Sequence, residues 1–197
     1  MIYLEKLKRV EHRILNACFR SNRNRNEVQM IAVTKYSSNE DSEALIEAGC
    51  LHIGENRVQA ALPKWEALHH FNVTWHFIGN LQTNKVKEII PRFHYLHSLD
   101  RLSLAQAIHK QCTEDQKISC FVQVNISGEN SKSGIEPPLL IEFINELQSL
   151  PQIYVCGLMT MAPRVDNPEE TRPIFRELRA WRDKIRRDSV LGDQCRY

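Results

Sequence analysis

The sequence is short of the features that mark several large classes of protein. Its 197 residues include only seven glycines, about half the usual share, which argues against flexible linkers. No apolar run approaches the roughly 18 residues of a membrane span, and the first residues lack the apolar core of a signal peptide. The six cysteines show no C-x-x-C spacing, which favours free thiols. A cytoplasmic protein with no membrane partner is therefore expected.

Charge of one sign is also lacking, because 26 basic side chains face 24 acidic ones and leave a net charge of +2. Nucleic-acid binding usually needs a strongly basic face, so no nucleic-acid partner is expected. Hydrophobic residues make up 42% and charged residues 25% of the chain, which is typical of a folded globular protein. The length suits one domain.

Several ligand-binding motifs are missing as well. There is no glycine-rich dinucleotide fingerprint, no Walker loop and no metal-ligand spacing of His or Cys. His76 lies between Trp75 and Phe77, and this setting favours a core or pocket histidine over a metal ligand. The segment from Ser131 to Gly134 is interpreted as a polar turn, with anion binding through its backbone amides as the alternative.

Short apolar runs alternate with helical patterns along the chain, after one leading helix. The helix after the second run carries Val58, Leu62, Trp65 and Leu68 on its apolar face, and Pro63 is predicted to kink or restart it. The predicted strands are 30–33, 51–54, 73–78, 93–99, 120–126 and 153–159.

Strands that alternate with helices predict an α/β fold with a parallel sheet. Two architectures fit, an open doubly wound sheet and a (β/α) barrel of the TIM type. A full eight-unit barrel usually needs about 250 residues, and six strand–helix units are found here. Periodicity does not choose between the two.

Ligands of both architectures bind at the carboxyl ends of the strands. Lys35 comes two residues after the first predicted strand. A lysine amine held partly out of water there forms an imine with an aldehyde more readily than a solvated one. The alternative is a solvated lysine that opens a loop.

Five segments of the chain form recognisable motifs: I-A-V-T-K at 31–35, I-G-E-N-R-V-Q at 53–59, W-H-F-I-G-N-L-Q-T-N-K at 75–85, V-Q-V-N-I with S-K-S-G-I at 122–126 and 131–135, and G-L-M-T-M at 157–161. In this order they resemble the pyridoxal phosphate homeostasis protein family (YggS/PROSC). The run that begins at Trp75 is the most specific of these.

The resemblance implies a barrel of the alanine racemase N-terminal kind that binds pyridoxal 5′-phosphate. It implies that Lys35 holds the cofactor as a Schiff base and that Asn56 and Met159 lie near its ring. We include His76, as a pocket histidine, among the predicted cofactor-binding residues, and we predict no catalytic and no metal-binding residues. The implied role is intracellular homeostasis of this vitamin B6 cofactor without turnover, with cofactor-dependent apoenzymes as partners.

The chain departs from the family in one respect, and two alternatives to the homeostasis role stay open. The resemblance implies a seventh strand with S-M-G-M-S and an eighth with R-I-G, which supply most donors to the phosphate, and neither motif occurs here. Residues 1–197 are therefore expected to form a single barrel domain that is truncated at its C-terminal side, with about six of eight units. The alternatives are a remnant that no longer binds the cofactor and a racemase-like enzyme. In a barrel with only six strands, residues 30–33 and 154–159 would be exposed sheet edges through which chains self-associate.

Overall fold

Helices and strands alternate along the chain, which confirms the α/β class. The computed structural model describes residues 2–129, 131–189 and 191–197, and these form seven α-helices and six strands. The helices are α1 (Ile2–Arg20), α2 (Asn39–Glu47), α3 (Val58–Leu68), α4 (Val86–Ile89), α5 (Leu102–Gln111), α6 (Leu140–Leu147) and α7 (Arg172–Asp188). The strands are β1 (Ala32–Val33), β2 (His52–Glu55), β3 (Thr74–Phe77), β4 (Tyr95–Leu99), β5 (Ile118–Gln123) and β6 (Ile153–Met159).

Local sequence signals explain how α2 begins and ends. The Ser38 side chain accepts a hydrogen bond of 3.1 Å from the Asp41 backbone amide, which caps the first turn. Gly49 follows the helix with a φ of +101°, a conformation that glycine adopts without steric cost. The amide of Gly49 bonds back to the Ile46 carbonyl at 2.8 Å. The next strand can therefore start only three residues later.

The chain divides into two compact units, and the first ends at His76. Its strands β1 and β2 are parallel, with Ala32 opposite Ile53. The Thr74 amide, at the start of β3, donates to the Leu51 carbonyl at 2.8 Å. Ala61 and Trp75 are almost fully buried in this unit, so one face of α3 and the strands supply its core.

The second unit begins at Phe77 and contains β4, β5 and β6. All three are parallel, with Leu96 opposite Cys120 and Cys120 opposite Val155. Strands and helices both contribute fully buried side chains, among them Leu96, Leu99, Leu104, Ile108, Leu140 and Ile144. Burying aliphatic side chains of this size contributes about 1.5–3 kcal/mol each.

The order of strands along the sheet is β1-β2-β3-β4-β5-β6. A doubly wound sheet instead contains a point at which the strand order reverses. The strand order contains no such reversal, which agrees with a (β/α) barrel among the two architectures that periodicity left open. That residues 1–197 form a single domain stays a prediction.

Two sequence expectations for individual elements are wrong. Strand β1 has two residues instead of four, and Val33 is 52% exposed. The buried face of α3 carries Ala61 and Lys64 in place of Leu62 and Trp65. Helix α3 continues through Pro63 without a restart, and a kink at this proline stays a prediction.

No helix in the described ranges combines the length and the apolar character needed to cross a membrane.

The edge of β6, expected to be exposed, is partly covered by backbone. The amides of Arg196 and Tyr197 donate to the Cys156 carbonyl at 2.9 and 3.1 Å, and the Leu158 amide donates to the Tyr197 carbonyl at 2.9 Å. Two edge groups of β6 are therefore paired within the chain. Self-association through sheet edges stays a prediction.

Candidate functional site

Lys35 lies where the sequence predicts it, at the carboxyl end of β1. It is half-buried and occupies a turn that the Ser37 amide closes on the Thr34 carbonyl at 2.9 Å. The Lys35 Nζ atom lies 5.1 Å from the centre of the exposed Tyr36 ring, within the range of a cation–π contact. A primary amine with partial access to solvent thus stands at the end of the strand that binds ligands in this architecture.

A buried ion pair contacts Thr34, the residue that precedes this lysine. Glu55, the last residue of β2, has no exposed surface, and Lys64 on α3 is 5% exposed. The Lys64 Nζ atom lies 2.7 Å from Glu55 Oε1 and also donates to the Thr34 carbonyl oxygen. The Thr34 hydroxyl donates to the same Glu55 Oε1 at 2.7 Å. The residue before Lys35 is therefore bound by both members of the pair.

Sequence reasoning missed Glu55 and Lys64, although a signal was present. Lys64 falls on the same helix face as Val58, Ala61 and Leu68, all of them buried. A lysine on an apolar face is rarely buried unless it is paired. Its position therefore indicates a buried acidic partner, and Glu55 stands in the G-E-N motif next to the predicted Asn56.

Asn56 and His76 also belong to the first unit. Asn56 follows β2 directly and is half-buried, so it stands at a carboxyl strand end, as Lys35 does. His76, on β3, is 3% exposed, and its Nε2 atom lies 3.0 Å from Nδ1 of His52. His76 is thus a buried histidine with a polar neighbour, and its part in cofactor binding stays a prediction.

Met159 belongs to the second unit, at the carboxyl end of β6. It is half-buried, and its carbonyl accepts a hydrogen bond of 2.8 Å from the Val124 amide. The next residue, Thr160, donates from its hydroxyl to the Val124 carbonyl at 2.8 Å. The backbone around Met159 is therefore fixed against the end of β5.

The loop that contains Ser131 to Gly134 folds back on the end of β5. The Gln123 side chain donates to the Ser133 carbonyl at 2.9 Å, and the Lys132 ammonium pairs with Glu129 at 2.9 Å. Gly134, at a φ of +135°, packs so closely on Asn125 that a Cβ there would lie 2.7 Å from the Asn125 nitrogen. These bonds fit the interpretation as a polar turn.

Within the described ranges, no group of three or more His, Cys, Asp or Glu side chains is arranged to hold a metal.

The similarity to known proteins agrees with the motifs. Residues 7–194 match the family model "Alanine racemase, N-terminal domain". A pyridoxal phosphate homeostasis protein of Aquifex aeolicus is 41% identical over 185 residues, which cover 93% of this chain and 81% of that protein. The chain belongs to the pyridoxal phosphate homeostasis protein family.

Solved structures of relatives extend this family assignment to the fold. PipY of Synechococcus elongatus, in a structure with pyridoxal phosphate bound, is 30% identical with a TM-score of 0.78, and the match covers 94% of this chain and 85% of PipY. An alanine racemase of Corynebacterium glutamicum is 16% identical with a TM-score of 0.62 over 79% of this chain and 46% of the racemase. The fold class predicted from the resemblance, an alanine racemase N-terminal type of barrel, is confirmed.

Proposed function

We propose that this chain binds pyridoxal 5′-phosphate and takes part in the intracellular homeostasis of that cofactor. The position of Lys35 carries the proposal. Lys35 is half-buried and stands at a carboxyl strand end, in a fold shared with PipY, whose structure has pyridoxal phosphate bound. An amine held in this way can attack the aldehyde carbon of the cofactor, with the loss of one water, to form a Schiff base.

The other predicted binding residues fit a ring with polar and apolar parts. Asn56 offers an amide that donates and accepts hydrogen bonds. Met159 offers a polarisable thioether, which suits contact with an aromatic ring. We include the buried His76 in the same predicted set. Each of these residues is either half-buried or buried, as side chains that line a small-molecule site usually are.

We infer binding and reversible release, without turnover, as the role of the site. The relatives that share 30–41% of their residues with this chain include proteins named for pyridoxal phosphate homeostasis, whereas the racemase shares 16%. Release of the cofactor to cofactor-dependent apoenzymes follows as the finer proposal. The six free cysteines support a reducing compartment, and hence the cytoplasm.

Trapping the adduct tests the proposal directly. The protein is incubated with pyridoxal phosphate, reduced with borohydride, digested and mapped by mass spectrometry. We expect one dominant adduct at Lys35, which disappears in Lys35→Ala and persists in Lys87→Ala, a control at an exposed lysine of α4. Adducts spread over surface lysines, and unchanged in Lys35→Ala, would contradict the proposal.

Chiral chromatography tests the absence of turnover. Alanine incubated with the loaded protein is expected to racemise no faster than with free cofactor. A faster rate that depends on Lys35 would favour the racemase-like alternative. An absence of any adduct under saturating cofactor would favour the alternative of a remnant that no longer binds.

A further inference from the structure

The buried ion pair of Glu55 and Lys64 is hard to explain as a source of stability. The exposed fractions of the two side chains are 0% for Glu55 and 6% for Lys64. Removing two such charges from water costs free energy that their attraction often does not recover, and apolar replacements of similar size are frequently neutral or stabilising. The pair therefore calls for a role besides stability.

The carboxylate of Glu55 is also satisfied on one side only. Its Oε1 atom accepts from both Lys64 and Thr34, whereas Oε2 is buried and has no hydrogen-bond partner among the residues that the structure describes. Buried polar atoms in folded proteins are nearly always paired, and an unpaired one costs free energy. Glu55 and Lys64 thus both bind Thr34, whereas the second carboxylate oxygen of Glu55 has no partner among the described residues.

Every polar backbone and side-chain atom of Thr34 is held. Its amide donates to the Gly54 carbonyl at 3.0 Å, its hydroxyl donates to Glu55, and its carbonyl oxygen accepts from both Lys64 and the Ser37 amide. The carbonyl group of Thr34 lies in the same planar peptide unit as the backbone nitrogen of Lys35. Anchoring that oxygen therefore fixes the position of the Lys35 Cα atom, from which the side chain starts.

We propose that Glu55 and Lys64 are positioning residues for the Lys35 amine. They hold the peptide between Thr34 and Lys35, so that only the flexible part of the Lys35 side chain has to be ordered when its amine meets an aldehyde. Ordering a long lysine side chain is costly in entropy, and a fixed peptide lowers the remaining cost. This inference rests on the proposed function of Lys35.

The test compares variants of the pair with a matched core variant. Lys64→Met removes the charge and keeps the length of the side chain. Glu55→Gln combined with Lys64→Met removes both charges, which avoids leaving one of them buried without a partner. Leu68→Ala truncates a buried residue one turn further along α3, and it controls for lost packing in the same helix. Thermal unfolding identifies the temperature at which all variants are folded.

The readout is the equilibrium constant for adduct formation with pyridoxal phosphate at one pH, followed by visible absorbance and by borohydride trapping at Lys35. Pyridoxine 5′-phosphate has the same ring and phosphate but no aldehyde, so its affinity reports on binding without the amine. We expect Lys64→Met and the double variant to weaken trapping at Lys35 at least tenfold and to leave the affinity for pyridoxine 5′-phosphate unchanged. Leu68→Ala should leave both quantities unchanged.

The outcomes separate this inference from the function on which it rests. Trapping at Lys35 that is equally strong in the wild type, the double variant and Leu68→Ala overturns the positioning role and leaves the proposed function standing. A parallel loss in Leu68→Ala and in the double variant, with the affinity for pyridoxine 5′-phosphate reduced in both, also overturns it, because the loss then follows packing. No trapping at Lys35 in the wild type overturns both.

Discussion

Replacement of Gly157 by alanine tests the backbone pairing at the edge of β6. A Cβ atom at Gly157 would lie 2.7 Å from the Cβ and 2.8 Å from the carbonyl carbon of Tyr197, closer than such atoms approach in folded proteins. The Tyr197 backbone must therefore move away. Three backbone hydrogen bonds depend on its position, those between residues 196–197 and Cys156 or Leu158.

The magnitude follows from those bonds. Each net hydrogen bond contributes about 1 kcal/mol to the free energy of unfolding, so the loss of three costs about 3 kcal/mol. Alanine restricts the unfolded chain more than glycine does, which returns about 0.5–1 kcal/mol. We therefore expect Gly157→Ala to lower the free energy of unfolding by about 2 kcal/mol.

Urea unfolding of four proteins provides the assay: the full chain and a chain without residues 196 and 197, each with and without Gly157→Ala. In the shortened chain the clash is absent, so the substitution should be neutral or slightly stabilising. The difference between the two effects isolates the contact between Gly157 and the tail. An equal loss in both backgrounds would refute the reasoning, because the cost would then arise within β6.

Two further predictions concern titratable groups in the second unit. Burial lowers the pKa of His97 to about 4, against about 6.5 in an unfolded chain. Between these pH values the unfolded state binds more protons than the folded state, so the free energy of unfolding falls by about 3 kcal/mol as the pH drops from 6.5 to 4. Urea unfolding at both pH values should show a smaller loss in His97→Gln, and an equal loss would contradict this. Cys112 is the one half-buried cysteine, whereas Cys18, Cys50, Cys120, Cys156 and Cys195 are buried, so maleimide should label Cys112 first. Partial burial raises the pKa of the Cys112 thiol, so the labelling rate should rise with pH. Mass spectrometry that finds a second thiol labelled equally fast would contradict the prediction.

The sequence placed most strands because an apolar run marks where a chain enters the core. Strand β6 spans 153–159 in the prediction and in the structure. Strand β5 ends at Gln123 instead of residue 126, because the Asn125 amide bonds to the Ile135 carbonyl of the following loop. Such pairings join residues ten apart or more, and local apolar content gives no sign of them.

Apolar periodicity failed in a different way in α1 and α7. Apolar residues recur at helical spacing in both helices and predict one apolar face in each: Leu4, Leu7, Ile14, Leu15 and Cys18 in α1, and Ile174, Leu178, Trp181 and Ile185 in α7. Among the residues described, however, Cys18 is the only buried residue of α1 and Ile185 the only one of α7. Leu4 and Leu15 of α1 are more than 40% exposed. Periodicity shows which residues share a face, whereas the depth of burial depends on what packs against that face.

The candidate site shows the same division between local and distant information. Lys35 and Asn56 were predictable because each lies two residues after a predicted strand, and ligands bind at the carboxyl ends of strands in this architecture. The pair of Glu55 and Lys64 was not predicted, because lysine is expected at the surface. For the same reason, the apolar face of α3 was expected to include Leu62 and Trp65 instead of Lys64. A strict reading of the helical period from Val58 and Leu68 places Lys64 inside, but it cannot name the acid that pairs with it.

The edge of β6 illustrates the limit of side-chain patterns most directly. Residues 196 and 197 pair through backbone atoms, which every residue carries, so Arg196 and Tyr197 show no strand-like signature. The only trace in the sequence lies on the other partner. An isolated glycine inside a strand often marks the close approach of another backbone, and Gly157 is such a glycine. The identity of the approaching segment depends on the fold of the second unit, so it becomes visible only once that unit is assembled.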